Sequence, residues 1–516
     1  MQVLYISSRS ISVLLDPEGF YESGEKRTLW LDGEEIGEEY RSVASLFDLE
    51  PDTEYELESR TENGETEQLT FRTREEVCVL NVRDFGAKGD GENDDTPMIQ
   101  AAIMCCPAGG RVLVPEGDYS TGPLFLKSHM TFEIAEGAAL RMIPDRTRFP
   151  VLPGETAANN EDGEILLGMW EGNREDGFAG ALTAIDSEDI AIIGEGIVDG
   201  RGGEADWWVK PKEKRIARRG NLLYTQRCRN ITVQGITFMN SPAWNLHPAF
   251  SDDLDFIDIR VKAPWDSPNT DGFDPESCRN VRLLGSEISV GDDCIAIKSG
   301  KIALGRKYRR ASENIEIGWC AMLDGHGGVT LGSEMAGGVK KVHAHHCVMR
   351  GNDRALRIKT RRDRGRDGVI DDILFEDIRM DGVKMPITVN CMYFCDPDGH
   401  SERVQSREKQ PVDETTPRIG TIHFERVKAE GCKACVVYAL GLPEQPVEHL
   451  VLKDCEFDFD PEAEPLVPAM AEGVEECCRR GLVLRYVDKV TLKNVRMKGI
   501  EGEPVEAIEV GSVEEK

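Results

Sequence analysis

The stretch Asn230-Ile231-Thr232-Val233-Gln234-Gly235-Ile236-Thr237-Phe238 decides the fold, because its pattern returns at 253–261, 280–288, 314–322, 341–349, 372–380, 449–457 and 489–497. Each unit opens on a polar residue and then alternates apolar and polar positions, the period of a strand with one face buried. The first six units start 23, 27, 34, 27 and 31 residues apart, within the repeat lengths of solenoids. The seventh position tests the alignment independently. It reads Ile236, Ile259, Ser286, Cys320, Cys347, Ile378, Cys455 and Val495, the small or branched set that an inward-facing ladder demands. Three cysteines are thereby assigned to the core, where a free thiol behaves as a small hydrophobe.

Four short polar motifs follow successive units: Ser267-Pro268-Asn269-Thr270-Asp271-Gly272, Gly291-Asp292-Asp293-Cys294, Gly325-His326-Gly327 and Arg357-Ile358-Lys359. If the units are coils of one solenoid, with neighbouring parallel strands ~4.7 to 4.9 Å apart, the motifs stack on one face. Asp271, Asp292, Asp293, His326, Arg357 and Lys359 then converge within a few rungs. Any one motif alone reads as a turn, since Asn, Asp and Gly dominate turns. Recurrence at one phase of adjacent coils makes them a site. Crowded carboxylates raise the pKa of at least one member and so place an acid beside a base, the pair that glycosidic cleavage requires.

The chain of 516 residues carries a formal charge of -32, which argues against nucleic acid or an anionic membrane as partner. A polyanionic substrate needs a local basic cluster, and the runs from Lys298 to Arg310 and from Arg354 to Arg366 supply one. Most of these side chains, Lys298, Arg361, Arg362 and Arg364 among them, read as solvated surface; Arg357 and Lys359 are the exceptions. Fifteen scattered cysteines suit free thiols in a reducing compartment. The opening Met1-Gln2-Val3-Leu4-Tyr5-Ile6-Ser7-Ser8-Arg9 lacks a charged leader region, and no run reaches ~18 apolar residues, so a cytoplasmic location is expected. Cys432-Lys433-Ala434-Cys435 stands without a second pair. His343, His345 and His346 share one strand with no acidic partners at matching positions, so neither group is read as a metal site.

Residues 1–75 form short alternating runs, and residues 49–57 resemble the tyrosine corner of fibronectin type III sandwiches. A β-sandwich over 1–75 and a solenoid over 76–516 follow, the boundary falling at the charged run 73–77. Asn93-Asp94-Asp95-Thr96-Pro97-Met98-Ile99-Gln100-Ala101-Ala102-Ile103 reads as a helix with Pro at an early position. With 81–91 before it, this segment resembles the start of the right-handed parallel β-helix in pectin-degrading enzymes and phage tailspikes, where the helix caps the open end. Two insertions, at about 149–177 and 391–418, break the rhythm and are expected to overhang the groove. Trp207-Trp208 reads either as a sugar-stacking pair or as core.

Together the four motifs resemble those of glycoside hydrolase family 28, the polygalacturonases, over about residues 81–497, and no motif position departs from the family pattern. The resemblance implies an all-β, right-handed parallel β-helix that hydrolyses α-1,4-galacturonan with inversion, without cofactor or metal, on galacturonate-containing oligosaccharides or polysaccharides. On it Asp292 is the general acid, and Asp271 and Asp293 position and deprotonate water. His326 tunes the acid, and Asn269, Arg357 and Lys359 meet substrate, the two cations holding a uronate carboxylate. Trp244-Asn245-Leu246-His247-Pro248 resembles a segment of exo-acting and plant members, which makes His247 a further substrate-binding candidate, with a satisfied structural histidine as the other reading. The insertions and the added N-terminal unit point to exo action. Rhamnogalacturonan or xylogalacturonan hydrolysis, a pectate lyase reaction and a non-catalytic carbohydrate-binding β-helix remain as alternatives.

Overall fold

The computed structural model describes residues 1–157 and 164–516, so part of the first insertion lies outside the described residues. Within 1–75, three antiparallel strands (Gln2–Ile6, Ile11–Leu14, Val43–Leu46) and four more (Glu22–Leu31, Glu34–Arg41, Glu54–Thr61, Thr66–Arg72) form two sheets. They close over Ile11, Val13, Leu29, Leu57 and Phe71. The Tyr55 hydroxyl accepts a hydrogen bond from the Glu50 amide at 2.9 Å, which pins the corner read from the sequence.

Among the described residues from Val79 onward, most strands pair parallel and wind into a β-helix, 28 of them in one sheet and four more (Leu124–Phe125, Leu182–Ile185, Leu223–Gln226, Leu246–Ala249) in another, while three two-stranded antiparallel pairs lie in and beside the first insertion. The repeat register holds: Ile231, Leu254, Val281, Ile315, Val342 and Ile373 are successive Cα partners. Ile190 and Met130 extend the column towards the N-terminus. Sequence alignment passed over one coil, Thr421–Cys432, whose Ile422 pairs with both Ile373 and Leu450. It follows directly on the second insertion, so no regular spacing from the preceding unit marks it. At the seventh position Ile236, Ile259, Ser286, Cys320, Cys347, Ile378 and Cys455 are fully buried.

The backbone explains two other columns. The first position is left-handed at Asn230, Asp253, Asn280, Asn314 and Asp372, and so is the sixth at Gly235, Asp258, Gly285, Trp319, His346, Asp377 and Asp454. Asn and Asp tolerate that conformation best among residues with a side chain. They also ladder along the axis, Asn280 Nδ2 donating to Asp253 at 2.8 Å and Asn314 Nδ2 to Asn280 at 2.8 Å. The sixth position is the corner between two sheets, and the N-terminal sandwich packs there. A Cβ on Gly285 would sit 2.4 Å from Val43, and one on Gly235 2.4 Å from Phe47. Leu14 and Val43 close on Ile257, Leu284 and Trp319.

The helix Thr96–Cys105 buries Ile99, Ala102 and Ile103 in the β-helix core. Asp95 does not cap it by side chain; its buried carboxylate accepts from the Lys88 and Gly89 amides at 2.6 and 2.8 Å. All fifteen cysteines carry free thiols, and Cys432 and Cys435 are fully buried. The three histidines do have acidic partners, contrary to expectation: His343 Nε2 lies 2.9 Å from Glu376 and His345 Nε2 3.2 Å from Glu316. These partners come from neighbouring coils, which no single-strand reading reveals.

Candidate active site

Leu246–Ala249, Asp293–Ile297, Gly327–Leu331 and Arg354–Lys359 stack in parallel as the third face of the coils, the third sheet, which carries the site. Leu246, Phe273, Ile295 and Val329 are successive partners across it, so Asp271 and Asp293, each two residues before its partner, stand level on adjacent rungs. Gly327 pairs with Asp293 and Arg354 with Gly327, which brings His326 and Arg357 onto the next two. The outcome is a carboxylate trio: one oxygen from each of Asp271, Asp292 and Asp293 lies within 4.8 Å of the others.

The three carboxylates have different surroundings. Asp293 is fully buried and takes Lys359 Nζ at 2.6 Å and Arg357 at 3.0 Å. Burial alone would raise its pKa, yet Lys359 and then Arg357 overcome that and hold the carboxyl well below the usual range. Asp271 is buried too, and here burial, reinforced by the Asp292 charge, wins over Lys298 and pushes it up to about 8. The trio therefore holds a proton at neutral pH. Asp292 is the most open of the three, with 23% of its side chain exposed against 5% for Asp271. His326 Nδ1 stands 3.4 Å from Asp292, and that contact raises the imidazole pKa.

Asp271, Asp292 and His326 line a groove of about 780 Å³, with Asp293 buried behind its wall. Both insertions reach it, the first through Trp170 and Glu171 and the second through Tyr393, Cys395, Asp396 and Pro397; Met470, from a third segment not foreseen, joins them. No lining residue of this groove comes from 1–75. A second cleft, of about 870 Å³, lies between the sandwich and the β-helix, away from the carboxylate trio.

The insertions are tied down by cations that sequence reading placed in solvent. Arg361, Arg362 and Arg364 are 2–4% exposed. Arg361 meets Asp398 at 2.6 Å, Arg362 meets Glu444 at 2.6 Å and Arg364 meets Asp396 at 2.7 Å. Asp396 also takes Lys301 at 2.8 Å, and Lys301 approaches Glu171 of the first insertion at 3.8 Å. Burial opposes ionisation of Asp396, but Arg364 and then Lys301 hold its carboxyl below the usual range.

Asn269 sits at the groove edge in a left-handed conformation, its Oδ1 accepting from Arg219 at 2.6 Å. Arg357 and Lys359 line the groove but are engaged with Asp293 rather than free, and both face the Tyr393 ring. His247 is a correction: it is 2% exposed, bonded to Glu276 at 2.9 Å and covered by the edge of Trp244. It stands behind the groove wall and supports it. Of the two readings for Trp207-Trp208 the structure takes the core one, since Trp207 packs on Phe149 and Phe178 and Trp208 against the core. The groove is lined instead by Tyr393 and by Trp170 and Trp244, the latter two parallel within 10° at 6.3 Å. Trp170 sits in a non-repeating insertion, and no periodic signal marks it.

A carboxylate raised by burial beside a charge-clamped carboxylate, set along an open groove of a parallel β-helix, is the kind of acid and base pairing that glycosidic cleavage requires. The family model described as glycosyl hydrolases family 28 matches residues 162–460, more than half of the chain, and the chain belongs to that family. A model described as rhamnogalacturonase A/epimerase, pectate lyase-like, matches 79–133, the cap and first coils. A probable polygalacturonase of Vitis vinifera is 31% identical over 329 residues, covering 61% of this chain and 64% of that relative. The chain thus spans under two thirds of that relative's length. The hyperthermoactive exopolygalacturonase of Thermotoga maritima is 28% identical with a TM-score of 0.65, covering 82% of this chain and 92% of that one. The family 28 exopolygalacturonase of Yersinia enterocolitica, 17% identical, shares the fold with a TM-score of 0.70 over 100% of this chain and 98% of its own.

Proposed function

We propose that this chain hydrolyses α-1,4-galacturonosidic bonds of galacturonides from a chain end. The observation that carries the reading is the divided trio, one carboxylate clamped ionised by Lys359 and Arg357 and a second, Asp271, pushed up to about 8 by burial. Asp292, open to the groove, delivers a proton to the leaving oxygen, with His326 beside it. Asp293 and Asp271 hold the attacking water and accept its proton. Arg357 and Lys359, on the groove floor, add positive potential for a uronate. The similarity to the Thermotoga maritima exopolygalacturonase and the two insertions that reach the groove support exo action.

The carboxylates stand closer than the ~6.5 to 9.5 Å usual for inversion. Inversion rests here on family membership and on a third carboxylate that shares the placing of water. Proton NMR of the first product checks it: the β-anomer is expected, and the α-anomer refutes inversion. Time courses on defined oligogalacturonides test the whole reading. Monomer or dimer from the first minutes is the expected result, and a spread of intermediate lengths refutes exo action. An unsaturated uronide chromophore abolished by chelator identifies a lyase instead. The fifteen free thiols support a reducing, cytoplasmic setting, where short imported fragments are the available substrate.

A further inference from the structure

Lys298 belongs to none of the four motifs, yet three carboxylates from three stretches of chain converge on it. Its ammonium lies 3.5 Å from Asp271, 3.3 Å from Asp274 and 3.5 Å from Glu334, and it rests over the Trp244 ring at 4.4 Å. All four charged groups are buried, Lys298 at 2%, Asp274 at 0%, Asp271 at 4% and Glu334 at 8% exposure. Asp274 is the extreme case. Neither of its oxygens has a hydrogen-bond partner, and among the described residues Lys298 is its only ion-pair partner.

An unshared buried cation or carboxylate is strongly disfavoured, so the set must balance internally. Arg357 and Lys359 are spent on Asp293, which leaves one ammonium for three acids. Burial and the Asp271 charge push Asp274 far up, so it carries a proton. Burial likewise opposes Glu334, but Lys298 and then Lys301 bring it down to about 2. Glu334 therefore competes with Asp271 for the same ammonium.

Resting on the hydrolase reading above, we infer that Lys298 is a positioning residue of the reaction: divided between Glu334 and Asp271, it fixes the orientation and proton affinity of Asp271. The groups that face this cluster are Asp292 and Asp293 with Lys359 on the trio side, and Glu171, Lys301 and Arg364 beyond Glu334. Lys298 acts through Asp271 and makes no step of its own.

The signs of two substitutions separate this role from simple support. Lys298→Met removes the cation, so Asp271 binds its proton more tightly and, since it must be free to accept the proton of water, the acid limb of the rate profile moves up. Glu334→Gln releases the ammonium towards Asp271, and the limb moves down. On trigalacturonate we expect Lys298→Met to lower kcat about 100-fold with KM within about threefold, and its limb to rise by about one pH unit or more. Lys298→Arg should restore most of the rate and return the limb. The inference is overturned if Lys298→Met changes only KM or nothing, or if Glu334→Gln moves the limb the same way as Lys298→Met. Should Lys298→Met not fold, Glu334→Gln and Lys298→Arg carry the same sign test. A wild type without turnover on any galacturonide overturns the hydrolase reading along with this one, whereas an active wild type with unshifted variants overturns this one alone.

Discussion

Asp292→Asn separates acid catalysis from structure more cleanly than any other change at the site. Asp292 is partly exposed and, among the described residues, its ion-pair partner is His326 at 3.4 Å rather than a lysine or arginine. Its loss leaves no buried charge alone, and a stability change of no more than about 0.5 kcal/mol is expected. General acid catalysis contributes about 10²- to 10⁴-fold, or ~3 to 5.5 kcal/mol of barrier. Oligogalacturonide hydrolysis should fall by that factor with the melting profile unchanged. Asp293→Asn gives the contrast. That carboxylate is fully buried against Lys359 and Arg357, so its loss strands two cations and costs about 3 to 5 kcal/mol of stability as well. The decisive assay replaces the sugar leaving group by an acidic phenol, which departs without protonation. On a 4-nitrophenyl galacturonide the Asp292→Asn deficit should shrink to about tenfold or less. An equal deficit on both substrates would refute Asp292 as the proton donor.

Asp271, at about 8 when folded against an ordinary ~3.9 when unfolded, holds a proton in the native state that the unfolded chain lacks across that window. Its contribution to stability is therefore present below about pH 4 and lost as pH rises towards 8; Asp271→Asn should flatten the decline of Tm over that range, and parallel slopes would contradict the assignment. Trp170→Ala removes one half of the groove's aromatic pair and should raise KM about tenfold, ~1.4 kcal/mol, with kcat little changed. Asp396→Ala leaves Lys301, Arg361 and Arg364 without their common carboxylate, and brief protease treatment should then cut within 391–418 in the variant and not in the wild type.

Periodicity made the winding and the inward column legible, because a coil that buries one face writes its register into every second residue. The motifs on the third sheet were legible for the same reason, since Asp271, Asp292, Asp293 and His326 keep one phase. What stayed hidden depends on partners far away in sequence. Lys298, Arg361, Arg362 and Arg364 resemble surface charges until coils and insertions bring Glu334, Asp398, Glu444 and Asp396 against them. His247 resembled a ligand-binding residue because nothing local reveals Glu276 beside it. Trp170 and Met470 lie on segments without period, and only the folded groove shows them.

The two left-handed columns have a consequence for how such a chain tolerates length changes. The coils that open at residues 230, 253, 280, 314, 341 and 372 bend at the same pair of positions, so inserting or deleting an entire winding among them leaves each neighbour with bends of the shape it already makes. A single added residue inside a winding would instead bring a β-branched side chain to a left-handed position, which disfavours it, and would turn the buried column outward. Gain and loss of sequence should therefore come in whole windings or in the corner loops, and the catalytic rungs stay aligned while the barrel around them grows or shrinks.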